Sequence, residues 1–183
     1  MPEVDKPYRG WKLTQFEGGL RVPYVAKWPG HIKAGLQYKQ PITNIDILPT
    51  VIAAAGGALP NDRVMDGANL LPFLSKNAKH QPARSLFWRD GPYRTVQDRG
   101  WKLIASEQPK KEWLFNLNVD PTEQNNLATV AHGELLRLRA LLEQHHLNMP
   151  PPLWASFIEI PILIDKTLDQ KESPDDEYTY WYN

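Results

Sequence analysis

Few residues of this 183-residue sequence have the types and spacing that metal binding or covalent catalysis requires. Cysteine is absent, which excludes disulfides, thiolate metal sites and cysteine nucleophiles together. The five histidines show no metal-ligand spacing beyond the adjacent pair His145–His146 at a predicted helix end. A hard divalent cation needs several converging oxygen ligands, yet the tandem acids Asp175–Asp176 follow Pro174 in a polar tail. We interpret them as a solvated charged run and predict no metal site in this chain.

The charge balance argues against several kinds of partner. Basic and acidic side chains number 21 each, so no electrostatic basis exists for a nucleic-acid or anionic-membrane surface. The longest apolar stretches, Val51–Ala55 and Phe157–Ile164, are much shorter than the roughly 20 residues that span a bilayer. The first ten residues are polar and contain no signal-peptide core. We therefore expect a soluble chain without nucleic-acid or membrane partners.

The first third of the chain predicts one strand and one helix. Arg21–Trp28 is typical of a short strand that ends at Pro29-Gly30. Ile45–Ala55 is typical of a helix that ends at Gly56-Gly57. The helix has one apolar face, which we expect to be buried. That face consists of Ile45, Leu48, Ile52 and Ala55.

The central part of the chain predicts an antiparallel meander followed by a helix. Four short apolar runs are separated by turn sequences such as Asp90-Gly91-Pro92. The runs are Ser85–Arg89, Tyr93–Gln97, Trp101–Ser106 and Trp113–Asn116. Asp120–Glu123 has the composition of a capped helix start. Gly133–His146 then predicts a helix with Leu135, Leu138 and Leu142 on one face, and an arm follows Pro150–Pro152.

Several motifs, in order from about Lys6 to His146, resemble the type I, formylglycine-dependent sulfatases of the alkaline-phosphatase-like superfamily. The motifs are Gly10-Trp11-Lys12, Phe16-Glu17-Gly18-Gly19, Arg21-Val22-Pro23, Trp28-Pro29-Gly30, Asn44–Thr50, Asp66-Gly67 with Leu70-Leu71-Pro72, Tyr93–Val96 with Trp101–Ile104, and Leu114–Asn116 with Asp120–Leu127. The resemblance implies an α/β fold, of which this chain supplies an α+β portion. Residues 1–80 would end the large domain, 81–149 would form a four-stranded antiparallel sheet packed by one helix, and 150–183 would be an extended arm.

The resemblance also implies chemistry that this chain cannot supply by itself. Such sulfatases use a formylglycine made from Cys or Ser in a Cys/Ser-x-Pro-x-Arg motif, beside a calcium-type cation. Five serines are the candidates: Ser75, Ser85, Ser106, Ser156 and Ser173. Ser85 alone has an arginine at the right offset, Arg89, but Phe87 replaces the proline. We therefore place the nucleophile and the metal ligands outside this chain, which itself would hold no cofactor.

Lys12 is the one residue that the resemblance assigns to an active site. It aligns with the family lysine that reaches a sulfate oxygen, where a cation stabilises developing charge. It is therefore our catalytic and substrate-binding candidate, and the alternative is an ordinary exposed lysine. Glu17 and Arg21 are expected to hold the loop, and the neighbouring glycines to permit close packing or positive φ.

Two functions of different classes remain open at this point. The first is the C-terminal part of an enzyme that hydrolyses a small sulfate ester or a sulfated glycan, inactive as an isolated chain and exported to the periplasm or secreted. The second is a non-catalytic module that binds a sulfated glycan or a partner chain. The related phosphonate monoester or phosphodiester hydrolases share the large-domain fold but fit the Glu17-Gly18-Gly19 and Trp28-Pro29-Gly30 segments less well. In either case we expect self-association, or poor order in residues 1–60, because apolar surface would lack its cover.

Overall fold

A computed structural model describes residues 7–74, 84–167 and 169–182. The chain forms two compact units, one of Met1–Pro23 with Ser85–Asn183 and the other of Tyr24–Arg84. Its elements are the helices α1 (Glu17–Leu20), α2 (Ile47–Ala54) and α3 (His132–Leu147), and the strands β1 (Leu86–Asp90), β2 (Tyr93–Asp98), β3 (Trp101–Glu107), β4 (Lys110–Asn116), β5 (Glu159–Leu163) and β6 (Tyr178–Tyr182). No helix in the described ranges is long and apolar enough to cross a membrane.

The first unit is built on the meander that the sequence predicted. Strands β1 to β4 pair in chain order, each antiparallel to the next. Side chains alternate between the two faces of the sheet. One face packs against α3 through the cluster Val96, Leu103, Leu114, Leu135, Leu138 and Leu142. The predicted helix and its apolar face are therefore confirmed.

The opposite face of the sheet is covered by two segments that are distant in sequence. Its buried residues include Tyr93, Ile104 and Trp113, and they pack with Phe16 from the N-terminal segment and Ile164 from the C-terminal segment. The C-terminal segment is a β5–β6 hairpin, whose strands pair Glu159 with Tyr182 and Leu163 with Tyr178. Residues 159–182 thus form a second small sheet on the first, where the sequence suggested an extended arm.

Two predicted elements are absent from the described structure. Arg21–Trp28 contains no strand, and Val25 is 92% exposed. A strand needs a neighbour for its backbone hydrogen bonds, and none of the described strands pairs with this segment. No helix begins at Asp120–Glu123 either, because the Asp120 carboxylate accepts the Gln124 and Asn125 amides and closes a turn instead.

The second unit contains the predicted helix, but the burial of its apolar face was predicted wrongly. A 3-10 turn, Asn44–Asp46, leads into α2. Ile45 and Leu48 are about half exposed, whereas Asp46 and Pro49 face the interior. The apolar face therefore has no cover within the described part of this unit.

Candidate functional site

Lys12 lies at the tip of a tight turn. The Thr14 amide donates to the Trp11 carbonyl at 3.0 Å, which closes a four-residue turn with Lys12 second and Leu13 third. Leu13 has a φ of 83°, the value that the third residue of a type II turn requires. The Thr14 hydroxyl also donates to the Trp11 carbonyl, at 2.9 Å. Lys12 is exposed at this turn, whereas Thr14, Gln15 and Phe16, which follow it, are buried.

The turn carries backbone strain at the residue next to the candidate lysine. A leucine in the left-handed region is an outlier, because its side chain crowds the backbone there. Such strain persists only where the surroundings impose it, and it clusters at functional sites. The Lys12 side chain is exposed and makes no hydrogen bond or ion pair with the described residues. The structure therefore holds Lys12 on a rigid support and leaves its ammonium group available.

Close backbone packing provides part of that support. The Gly18 amide donates to the Arg9 carbonyl at 2.8 Å, which brings α1 against the start of the turn. A Cβ at Gly18 would lie 2.2 Å from the Gly10 carbonyl oxygen, and one at Gly19 would lie 2.1 Å from that of Thr14. No side chain fits at either position, so the expectation that these glycines permit close packing is confirmed.

A buried ionic cluster anchors α1 from the side of the sheet. Lys102 of β3 is fully buried, and its Nζ lies 2.9 Å from Glu17 Oε1 and 2.9 Å from Glu123 Oε1. The contact with Glu17 is a hydrogen bond. Glu123 Oε2 accepts the Glu17 amide at 2.6 Å. Glu17 therefore holds its loop, as expected from the sequence.

Glu123 belongs to this cluster at an energetic cost. Its burial raises the pKa of its carboxyl, an effect that Lys102 and the Glu17 amide only partly offset. Glu123 also has a left-handed backbone, with a φ of 58°. Lys102 and Glu123 lie in the family motifs Trp101–Ile104 and Asp120–Leu127, but neither was predicted to have a role. For Lys102 the sequence contained one indication of such a role, because a single charged residue stands there at a strand position that faces the interior.

The described residues do not fit a divalent cation. No three acidic or histidine side chains converge in the ranges that the structure describes. Asp176 instead pairs with Lys166 at 2.7 Å, while Asp175 is exposed. We therefore derive no catalytic step through a metal held by this chain.

The serine candidates have structural surroundings where they are described. Ser85 donates to Asp98 at 2.8 Å, and the neighbouring Arg89 donates to the Pro150 carbonyl at 3.1 Å. Ser85 and Arg89, the residues that come nearest to the formylglycine motif, therefore make structural contacts at the edge of the sheet. Ser75 and His80 lie outside the described residues.

In the second unit the Ile-Asp-x-x-Pro-Thr motif builds a structural centre. Asp46 accepts hydrogen bonds from the amides of Thr43, at 2.9 Å, and Ala68, at 2.8 Å, and pairs with Arg84. Burial alone would raise the pKa of Asp46, but these donors outweigh it and the pKa is lowered. The motif fixes backbone segments and does not present a reactive group.

Comparison with known proteins identifies the family to which these motifs belong. The family model for the C-terminal region of N-sulphoglucosamine sulphohydrolase matches residues 10–147. Rattus norvegicus steryl-sulfatase is 32% identical over 169 residues, which cover 90% of this chain and 26% of that protein. Homo sapiens arylsulfatase D is 44% identical over 183 residues, covering 79% of this chain and 30% of that protein. The chain thus spans less than a third of these relatives.

A solved structure shares the fold. Ps i-CgsB superposes with a TM-score of 0.66 at 27% identity, over 76% of this chain and 32% of that one. A second crystal structure of Ps i-CgsB contains k-i-k-neocarrahexaose. These comparisons agree with the resemblance that the motifs indicated.

Proposed function

The chain belongs to the sulfatase C-terminal domain family, and from this membership we propose that it is the C-terminal part of an enzyme that hydrolyses sulfate esters. In this proposal residues 1–80 complete the large domain, 81–149 form the small subdomain, and 150–183 are a C-terminal segment whose hairpin packs on that subdomain. The observation that carries the proposal is the family match over residues 10–147, and the strained turn that presents an unpaired Lys12 supports a role for that residue.

The role proposed for Lys12 follows from its charge and its support. Sulfate transfer places negative charge on the sulfate oxygens and on the leaving oxygen. A fixed ammonium group near them stabilises that charge without reorganising during the reaction, which is the largest single contribution in many enzymes. The hydrogen-bonded turn, and the ion pair of Glu17 with the buried Lys102, support a fixed position for it.

The remaining parts of the active site would come from outside this chain. We propose that a formylglycine and a calcium-type cation lie in the preceding part of the parent enzyme. The isolated chain would then have neither nucleophile nor metal and would not turn over a sulfate ester. A small sulfate ester and a sulfated glycan both fit as the substrate of the parent.

An activity comparison tests this assignment. The purified chain and the longer reading frame that includes it are assayed with an aryl sulfate. We expect turnover only from the longer product, and we expect its upstream part to contain a Cys/Ser-x-Pro-x-Arg motif and an Asp-Asn pair. Turnover by the isolated chain above that of its Lys12→Ala variant would overturn the proposal. An upstream frame without these motifs would favour the non-catalytic module.

A further inference from the structure

We propose that the C-terminal hairpin, β5 with β6, is a positioning element that fixes the Lys12 turn through Arg9 and Trp11. The inference rests on the proposed function of Lys12. The hairpin lies beyond residue 147, where the match to the family model ends, so membership of the family assigns it no role. Three sets of contacts carry the inference.

The first contact holds the residue that starts the turn. Trp11 Nε1 donates to the Leu163 carbonyl, at the end of β5, over 2.7 Å. The carbonyl of the same tryptophan accepts both the amide and the hydroxyl of Thr14. The hairpin therefore fixes the position of the peptide that closes the Lys12 turn.

The second set holds Arg9, three residues before Lys12. Its guanidinium binds Asp165 in a bidentate manner, at 2.9 and 2.8 Å, and binds Glu177 at 2.5 Å. Bidentate charged hydrogen bonds are strong and geometrically specific, and the Arg9 side chain is only 12% exposed. Its main-chain carbonyl receives the Gly18 amide. The hairpin thus fixes the backbone at Arg9, to which α1 is hydrogen-bonded through the Gly18 amide.

The third set anchors the hairpin itself to the sheet. Glu177 accepts Trp113 Nε1 at 2.8 Å and pairs with Lys111 of β4. Burial opposes its ionisation, but the hydrogen bonds from Lys111, Trp113 and Arg9 outweigh this and lower the pKa of Glu177 to about 2. Its carboxylate is therefore charged at neutral pH. Ile164, fully buried in the same core as Phe16, adds an apolar anchor.

These contacts place the Lys12 turn between two supports. The sheet holds α1 through Lys102 and Glu17, and the hairpin holds the turn from the other end through Arg9 and Trp11. A left-handed leucine relaxes when its surroundings no longer impose it. Loss of the hairpin contacts should therefore release the turn and leave the sheet and α3 intact.

Amide exchange in this chain tests the structural half of the inference. Glu177→Gln and Trp11→Phe each remove hairpin contacts, and Glu172→Gln, at an exposed carboxylate in the same hairpin, is the control. We expect the Thr14 and Gly18 amides to exchange about tenfold faster in the first two variants. Amides of α3 should be unchanged. If the Thr14 and Gly18 amides exchange at the same rate in Trp11→Phe as in the unsubstituted chain, the inference is wrong. This comparison remains valid even if Glu177→Gln unfolds.

A double-mutant cycle in the parent enzyme tests the functional half. We expect Glu177→Gln to lower kcat about tenfold with little change in KM, and to have no further effect when Lys12 is already alanine. An equal loss in both backgrounds would mean that the hairpin acts on folding in general, and would overturn the inference. A Lys12→Ala variant with full activity would instead refute the proposed function, so the two failures are distinguishable.

Discussion

Replacing Lys102 with methionine should destabilise the first unit more than any other single change at a charged residue of its sheet. The substitution keeps the length and volume of the side chain but removes the ammonium group. Lys102 is fully buried, and it is the cation within 2.9 Å of both Glu17 and Glu123. The variant therefore leaves the buried Glu123 without its compensating charge, and leaves the nearly buried Glu17 with the more distant guanidinium of Arg21, 3.8 Å away.

The structure sets the size of this effect. Removing one partner of a buried ion pair costs about 3–5 kcal/mol, and two carboxylates depend on this lysine. Part of the cost is recovered when Glu123 takes up a proton, since burial already raises the pKa of that group. We therefore expect a loss of about 3 kcal/mol at neutral pH and a smaller loss in mild acid. An exposed lysine such as Lys110 should give a change of less than about 0.5 kcal/mol.

Urea unfolding of Lys102→Met and Lys110→Met, followed by tryptophan fluorescence, measures the difference. The triple variant that also carries Glu17→Gln and Glu123→Gln should recover much of the stability, because no unpaired charge remains inside. A loss below about 1 kcal/mol for Lys102→Met would refute the view that this cluster anchors α1. Failure of the triple variant to recover would refute unpaired charge as the cause.

Three further predictions concern other charged and apolar groups. In amide hydrogen exchange, Asp46→Asn should lower the protection of the α2 amides by about 3 kcal/mol, because Arg84 loses the charge of its buried partner. Asp62→Asn, at an exposed ion pair, should have no effect in the same experiment. The pKa of Glu177 is lowered from 4.5 to about 2. Its ionised carboxylate should therefore contribute about 2 kcal/mol to the free energy of unfolding above pH 4.5, and this contribution should be lost as the pH falls towards 2. Acid unfolding that is identical in Glu177→Gln would contradict this. Leu48→Lys should reduce self-association measured by light scattering, because Leu48 is 56% exposed on the apolar face of α2. If the unsubstituted 183-residue chain stays monomeric at all concentrations, this prediction is wrong.

Local signals made the meander and α3 predictable. Asp90-Gly91-Pro92 and Asp98-Arg99-Gly100 are strong turn sequences, and the strands between them pair with their neighbours in the chain. The leucines of α3 recur at helical spacing and are buried as that spacing indicates. Pairing between consecutive strands and burial of one face of a helix both produce patterns that can be recognised within a few consecutive residues.

The hairpin and the ionic cluster leave no such trace. Residues 159–163 contain Pro161 and pair with a strand that begins fifteen residues after β5 ends, without a short turn sequence between them. The partners Glu17 and Lys102 are 85 positions apart. Contacts of this kind depend on tertiary packing. Family resemblance singled out Lys12 as a candidate and predicted that Glu17 and the glycines hold its loop, but nothing in the sequence indicated Lys102, Glu123 or the hairpin as further supports.

The value of kcat/KM for sulfate-ester hydrolysis by the parent enzyme, compared between Lys12→Ala and Lys110→Ala, tests the central claim most directly. Both lysines are exposed in this chain, but only Lys12 lies on the strained turn. We predict that Lys12→Ala lowers kcat/KM by about 100-fold to 1,000-fold, while Lys110→Ala stays within about twofold. Equal activity in the two variants would contradict the assignment of Lys12 to the active site.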